Sequence, residues 1–195
     1  ALGDSGLMDA RELELDYSEV YRYLGYRKGV PEGEVRHVVE QCVEDLVSQA
    51  ELKSVARRFP LKFLGDNRFL IGDMELESRA LSRNMRGCDE AYLMAATIGF
   101  AMDRLAARAA AIGRMSRAVI YQAAGAMLIE SYCDALNRKL KEEAAAHNLK
   151  ALVRRHGLPD RLHTPKGMCD TLKRSLPCRT ANLDLRLGDR RDHEA

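Results

Sequence analysis

Tryptophan is absent from this chain of 195 residues, proline occurs five times, and aromatic residues make up only 6%. With no basic run alternating with aromatics, the stacking platform of a strand-binding surface is missing. A charge excess of one sign is missing as well. Its 31 basic and 29 acidic residues are mixed along the chain and leave a net charge of +2, so no nucleic-acid partner is expected. The cysteines Cys42, Cys88, Cys133, Cys169 and Cys178 form an odd set without C-x-x-C spacing. That disfavours a disulfide framework and a zinc or iron–sulfur site, and it fits a reducing cytoplasm. The histidines His37, His147, His156, His163 and His193 include no H-x-x-x-H pair and read as surface residues. No metal site is expected. A long apolar run is also lacking: Ala118 to Ile129 contains Gln122 and is too short to span a bilayer. The N-terminus has no basic start leading into an apolar stretch, so no secretory signal is read and a soluble, cytoplasmic protein without a membrane partner is expected.

What is present is 46% hydrophobic residues, enough for one sizeable core or one domain with an appendage. Glu12 to Asp16 alternates polar and apolar residues and reads as a short strand. Ser18 then caps a short helix that Gly25 ends. Pro31 opens the next helix, with Val35, Val39, Cys42, Leu46 and Ala50 on one stripe. The segments Ser54 to Leu64 and Arg68 to Ile71, joined by Gly65-Asp66-Asn67, predict two antiparallel strands. Leu76 to Arg86 reads as a helix with Ser78 as a possible cap and Gly87 as its stop. The first part of Glu90 to Gly99 reads as a central strand, and Phe100 to Ile112 as an Ala-rich helix broken by Gly113. The fold class is therefore α+β, with helices packed around a small twisted antiparallel sheet. Residues 1–150 form that domain. Residues 151–195 are read as an atypical C-terminal tail, because after Gly157 no period of 2 or 3.6 is sustained.

The chain is organised around the segment Arg117 to Leu140, which predicts one long helix whose first half is apolar nearly all the way round. Such a helix is expected to be buried. At about 100° per residue, Val119, Ala123, Ala126, Met127, Cys133, Asp134 and Asn137 fall within roughly 60° of Glu130. The expectation is thus a carboxylate on a buried, small-walled face. Burial of an ionised carboxylate is costly unless it is matched, so its partner is an arginine of the protein or a cationic ligand; the plainer alternatives are an internal pair or a solvated edge.

Other signals are weaker. Gly99 stands between a strand and a helix, where a backbone can approach a phosphate, but G-x-G-x-x-G and P-loop patterns are absent and a tight turn explains it. Arg154 and Arg155 can bind an anion or simply be solvated. Glu130 and Asp134 share a helix face and can form an acid/base pair, yet no nucleophile is assembled beside them, and Cys133 on that face reads as a small hydrophobe.

Five segments, in order, carry a resemblance to a known family: Glu19 to Tyr26; Pro31 to Gln49 leading into Ser54 to Leu61; Leu81 to Asp89; Ala95 to Asp103; and Ala124 to Glu130. Together they resemble the activation domain of cobalamin-dependent methionine synthase in its free-standing form, over about residues 10 to 145. The resemblance implies an S-adenosylmethionine-binding domain that supports reductive methylation of a corrinoid methyltransferase. It implies cobalamin carried by a partner protein, and a flavodoxin-like electron donor. It places Glu130 on a carboxylate that the family uses near the ligand, with Asp134 beside it, and aligns Arg155 with the family's ligand-holding arginine. The family's Pro/Gly/Tyr turn has no counterpart after Arg155, where the sequence reads His156-Gly-Leu-Pro-Asp-Arg-Leu. The alternative is therefore a non-catalytic module that keeps the corrinoid-protein surface and has lost the ligand.

Overall fold

The structure is a computed structural model that describes residues 8–26, 31, 33–146, 156–157 and 182–188. It is a mixed α+β fold whose described residues divide into two compact units, one drawn from Ser54–Ala95 and Leu136–Ala195, the other from Ser5–Lys53 and Ala96–Ala135.

The first unit is built on a sheet. Its strands are β1 (Lys53–Gly65), β2 (Arg68–Ile71), β3 (Met74–Glu77), β4 (Glu90–Thr97), β5 (His156–Gly157) and β6 (Asn182–Gly188), in the order β3-β2-β1-β4-β6-β5. The β1–β2 hairpin is antiparallel, with Leu61 opposite Ile71 and Phe63 opposite Phe69. Its turn puts Asp66 (φ 50°) and Asn67 (φ 64°) in the left-handed region, the backbone that a tight hairpin requires and that Asp and Asn tolerate. A second hairpin pairs β2 with β3, Phe69 opposite Leu76 and Ile71 opposite Met74. Cross-strand partners share a face, so Leu61, Phe69, Ile71 and Leu76 line one side of the sheet. Helix α3 (Arg79–Asn84) and the residue after it cover that side with Leu81 and Met85, closing one buried cluster. Ser78 caps α3, its hydroxyl accepting from Leu81 N at 3.3 Å.

The second unit is helical. A 3-10 turn (Ala10–Glu12) leads to α1 (Tyr17–Tyr23), α2 (Glu34–Val47), α4 (Ala101–Ala111) and the N-terminal part of α5 (Met115–Ala146). Val39, Cys42, Val43 and Leu46 of α2 are buried, as are Leu105 and Ala109 of α4 and Ala124, Met127 and Leu128 of α5. Gly125 allows a close approach, since a Cβ there would sit 2.6 Å from Met102 Cγ. Gly99 (φ +77°) makes the tight turn before α4: its N–H donates to Thr97 Oγ1 at 3.1 Å, and an added Cβ would stand 3.1 Å from Glu51 Cβ.

The central strand, the first hairpin, the α4 helix and the long helix lie where the sequence places them. Five readings are corrected. Glu12 to Asp16 is not a strand; it follows a 3-10 turn and ends at Asp16, which caps α1 by accepting from Ser18 N at 3.0 Å, so Asp16 rather than Ser18 is the cap. Helix α2 starts at Glu34 behind Gly33, leaving Pro31 outside it, and Val35 is exposed. Met74–Glu77 is a strand, so the following helix begins only after Ser78. The tail has a period after all: Leu183, Leu185 and Leu187 alternate with polar residues in β6, whose antiparallel partner is β5. Finally, the first half of α5 is not buried all round, since Met115 and Val119 are exposed.

Candidate functional site

Glu130, Asp134 and Arg155 are the residues that the sequence points to. Glu130 and Asp134 lie one turn apart on α5, so the helix does bring them to one face. Its surroundings match the expectation in part. Glu130 is exposed and Asp134 half-buried; of the residues that share their face, Ala123, Met127, Cys133 and Asn137 are buried, Ala126 is half-buried and Val119 is exposed. Burial continues round α5 through Tyr121, Ala124, Leu128 and Tyr132. Tyr121 and Leu128 stand about 160° to 180° round the helix from Glu130. A helix that is apolar on nearly every side gives no phase to its periodicity, and packing against the neighbouring helices decides which stripe is covered. The acid is therefore presented outward, where no desolvation has to be matched by a buried countercharge. Arg155 and Arg154 lie outside the described residues. Among the described residues no group of three or more His, Cys, Asp or Glu side chains is placed to hold a metal ion, and no helix is long and apolar enough to cross a membrane. Cys42, Cys88 and Cys133 are buried.

A second constellation, which sequence reasoning missed, lies within the helical unit. Asp45 on α2 accepts the Tyr121 hydroxyl at 2.9 Å and faces the Arg117 guanidinium at 3.6 Å. Arg117 also donates to Gln41 Oε1 at 3.3 Å, and Arg104 to Gln49 Oε1 at 3.1 Å. These bonds join residues more than fifty positions apart, so no local spacing announces them. Asp45, Gln49, Arg117 and Tyr121 of this group line a cleft of about 300 Å³, to which Arg108 and Arg114 add further positive charge. Burial, and then the bond to Asp45, push the Tyr121 phenol up to about 12. Burial also pushes the Cys42 thiol up, against an opposing pull from Arg117, so it is held in the thiol form rather than poised as a nucleophile.

Tyr121→Phe tests this network. The expected cost near neutral pH is about 1 kcal/mol, less than the usual range for a bond to a charged acceptor, because half of the Asp45 side chain is solvated. The folded-state phenol titrates above its ordinary value of 10.0, so its contribution is complete below that pH and is lost as pH rises through about 12. Thermal melts of both proteins across that window should show the gap between them closing toward the alkaline end. A gap that stays constant would mean that the hydroxyl does not set it.

No family model and no curated protein matches the chain. Among solved structures it is similar to the crystal structure of the MetH reactivation domain bound to AdoHcy, at a TM-score of 0.56 and 14% identity, over 93% of this chain and 75% of that one. At that identity the likeness establishes the fold: the chain has the architecture of a MetH reactivation domain.

Proposed function

We propose that this chain is an S-adenosylmethionine-binding accessory domain that supports reductive methylation of a corrinoid methyltransferase. The observation that carries the reading is the likeness in fold to the MetH reactivation domain bound to AdoHcy over nearly the whole chain. The five ordered motifs from Glu19 to Glu130 support it independently of the fold. In this reading the partner carries the cobalamin, a flavodoxin-like donor supplies one electron to its oxidised cobalt, and the methyl group of S-adenosylmethionine passes to it, leaving S-adenosylhomocysteine. The chain's own task is to bind and present the methyl donor. Glu130, with Asp134 one turn on, is the proposed counter-charge, and Arg155 the proposed clamp for the ligand's carboxylate. An outward carboxylate suits that task, because the ligand brings its sulfonium and ammonium charges from solvent to the helix face.

Calorimetry tests the proposal. S-adenosylmethionine should bind saturably, and Glu130→Ala should weaken it about tenfold, the effect of losing one charge-assisted contact. S-adenosylhomocysteine lacks the sulfonium charge but keeps the ammonium. If Glu130 meets the sulfonium, the variant should bind S-adenosylhomocysteine as wild type does; an equal loss for both ligands assigns Glu130 to the ammonium. Absence of heat with either ligand, with and without a corrinoid protein present, would remove the reading. The missing Pro/Gly/Tyr turn after Arg155 favours a second one, a docking module without ligand, for which a corrinoid protein is retained on the immobilised chain while neither nucleoside binds.

A further inference from the structure

The cleft of the helical unit carries a charge that its own residues do not balance. Arg108, Arg114 and Arg117 contribute three positive charges to its lining and Asp45 one negative charge, a net of +2. Asp45 is already engaged by Tyr121 and Arg117. Among the described residues Arg108 and Arg114 have no ion-pair partner, and both are exposed. Arg114 is also unfavourably placed by itself, whereas Arg108, in the last turn of α4, is not. The Arg114 carbonyl accepts from Ala118 N at 3.2 Å, which puts Arg114 immediately before α5 and Arg117 within its first turn, at the positive end of a 32-residue helix. That end carries no acidic residue in its first turn. Cations there are of the wrong sign for the helix dipole. The lining also has an apolar part beside Arg108: Leu105 and Ala109 are buried, while Ile112 is 61% exposed.

The geometry points to a binding site for a small phosphate monoester with a compact apolar body. A phosphoryl group carries about −1.5 to −2 at neutral pH and matches the net lining charge, and guanidinium forks bond its oxygens in pairs. A single carboxylate would leave a positive charge unmatched. A cleft of about 300 Å³ lies at the small end of ligand pockets, which sets a limit on the organic part. Ile112, otherwise an exposed hydrophobe, becomes the contact for that part. The inference is independent of the proposed role of Glu130, which lies 13 residues along α5 from Arg117, about 20 Å of helix.

The test is calorimetry of the full chain with phenyl phosphate and with inorganic phosphate, each against sodium chloride of equal ionic strength. Both should bind saturably, phenyl phosphate about fivefold more tightly through Ile112 and Leu105. Arg108→Gln should weaken both about tenfold. Arg114→Glu should abolish binding and yet raise the melting midpoint in phosphate-free buffer by about 2 °C, since an acid replaces a cation at the helix start. Ile112→Ala should cancel the preference for phenyl phosphate and leave inorganic phosphate unchanged. No heat beyond the chloride control, or wild-type affinity in both arginine variants, would overturn the site. Binding of a single-stranded oligonucleotide that phenyl phosphate fails to displace would overturn the ligand class.

Discussion

Phe69→Ala is expected to lower the stability of the protein by about 3–5 kcal/mol, measured by chemical denaturation. Phe69 is completely buried and belongs to the buried cluster on one face of the sheet. Phe63 stands opposite it on β1 and Leu76 opposite it on β3, and Leu81 of α3 with Met85 just after that helix pack into the same cluster. Truncation to alanine removes a ring that touches two neighbouring strands and a helix, and those elements are tied by backbone ladders that limit their collapse into the void. A typical domain has about 5–15 kcal/mol in total, so the variant should be marginal. Phe63 provides the control. It is 38% exposed and touches the same ring at 6.3 Å between centroids, so Phe63→Ala should cost about 1 kcal/mol. Equal losses for the two would mean that the cluster is not the core of this unit.

The contrast between those two phenylalanines shows what local sequence carries and what it does not. Gly65-Asp66-Asn67 between two β-rich segments specifies a hairpin because the turn itself demands a left-handed backbone, and that signal is complete within a few residues. Gly72-Asp73 between Ile71 and Met74 is a signal of the same kind, with Gly72 at φ +60°, and reading it would have separated β3 from α3. The alternation Leu183, Leu185, Leu187 was equally legible as β6. Asp16 displaced Ser18 as the cap of α1 for a physical reason: either side chain can accept a backbone N–H, and the choice depends on where the 3-10 turn before it ends. The cleft is a different case. Asp45, Arg117 and Tyr121 meet across 72 to 76 positions, and each reads in isolation as a charged or aromatic residue on an amphipathic helix. Only the packing of α2 and α5 in the helical unit makes them one network.

Helix α5 gives the last and most consequential test, because its rotation decides what Glu130 is for. Leu128 is fully buried and Val119 is 49% exposed, although both belong to the same apolar run. Leu128→Ala should therefore cost about 2–5 kcal/mol, whereas Val119→Ala should stay within about 0.5 kcal/mol. The reverse order would turn the helix by about half a circle, carry Val119 and Glu130 inward, and restore the need for an internal countercharge. With Leu128 inward, a Glu130→Ala variant should fold with near wild-type stability. Its effect on S-adenosylmethionine binding can then be read as lost recognition, free of any loss of structure, and the outward acid and its ligand become separable from the core that holds the helix in place.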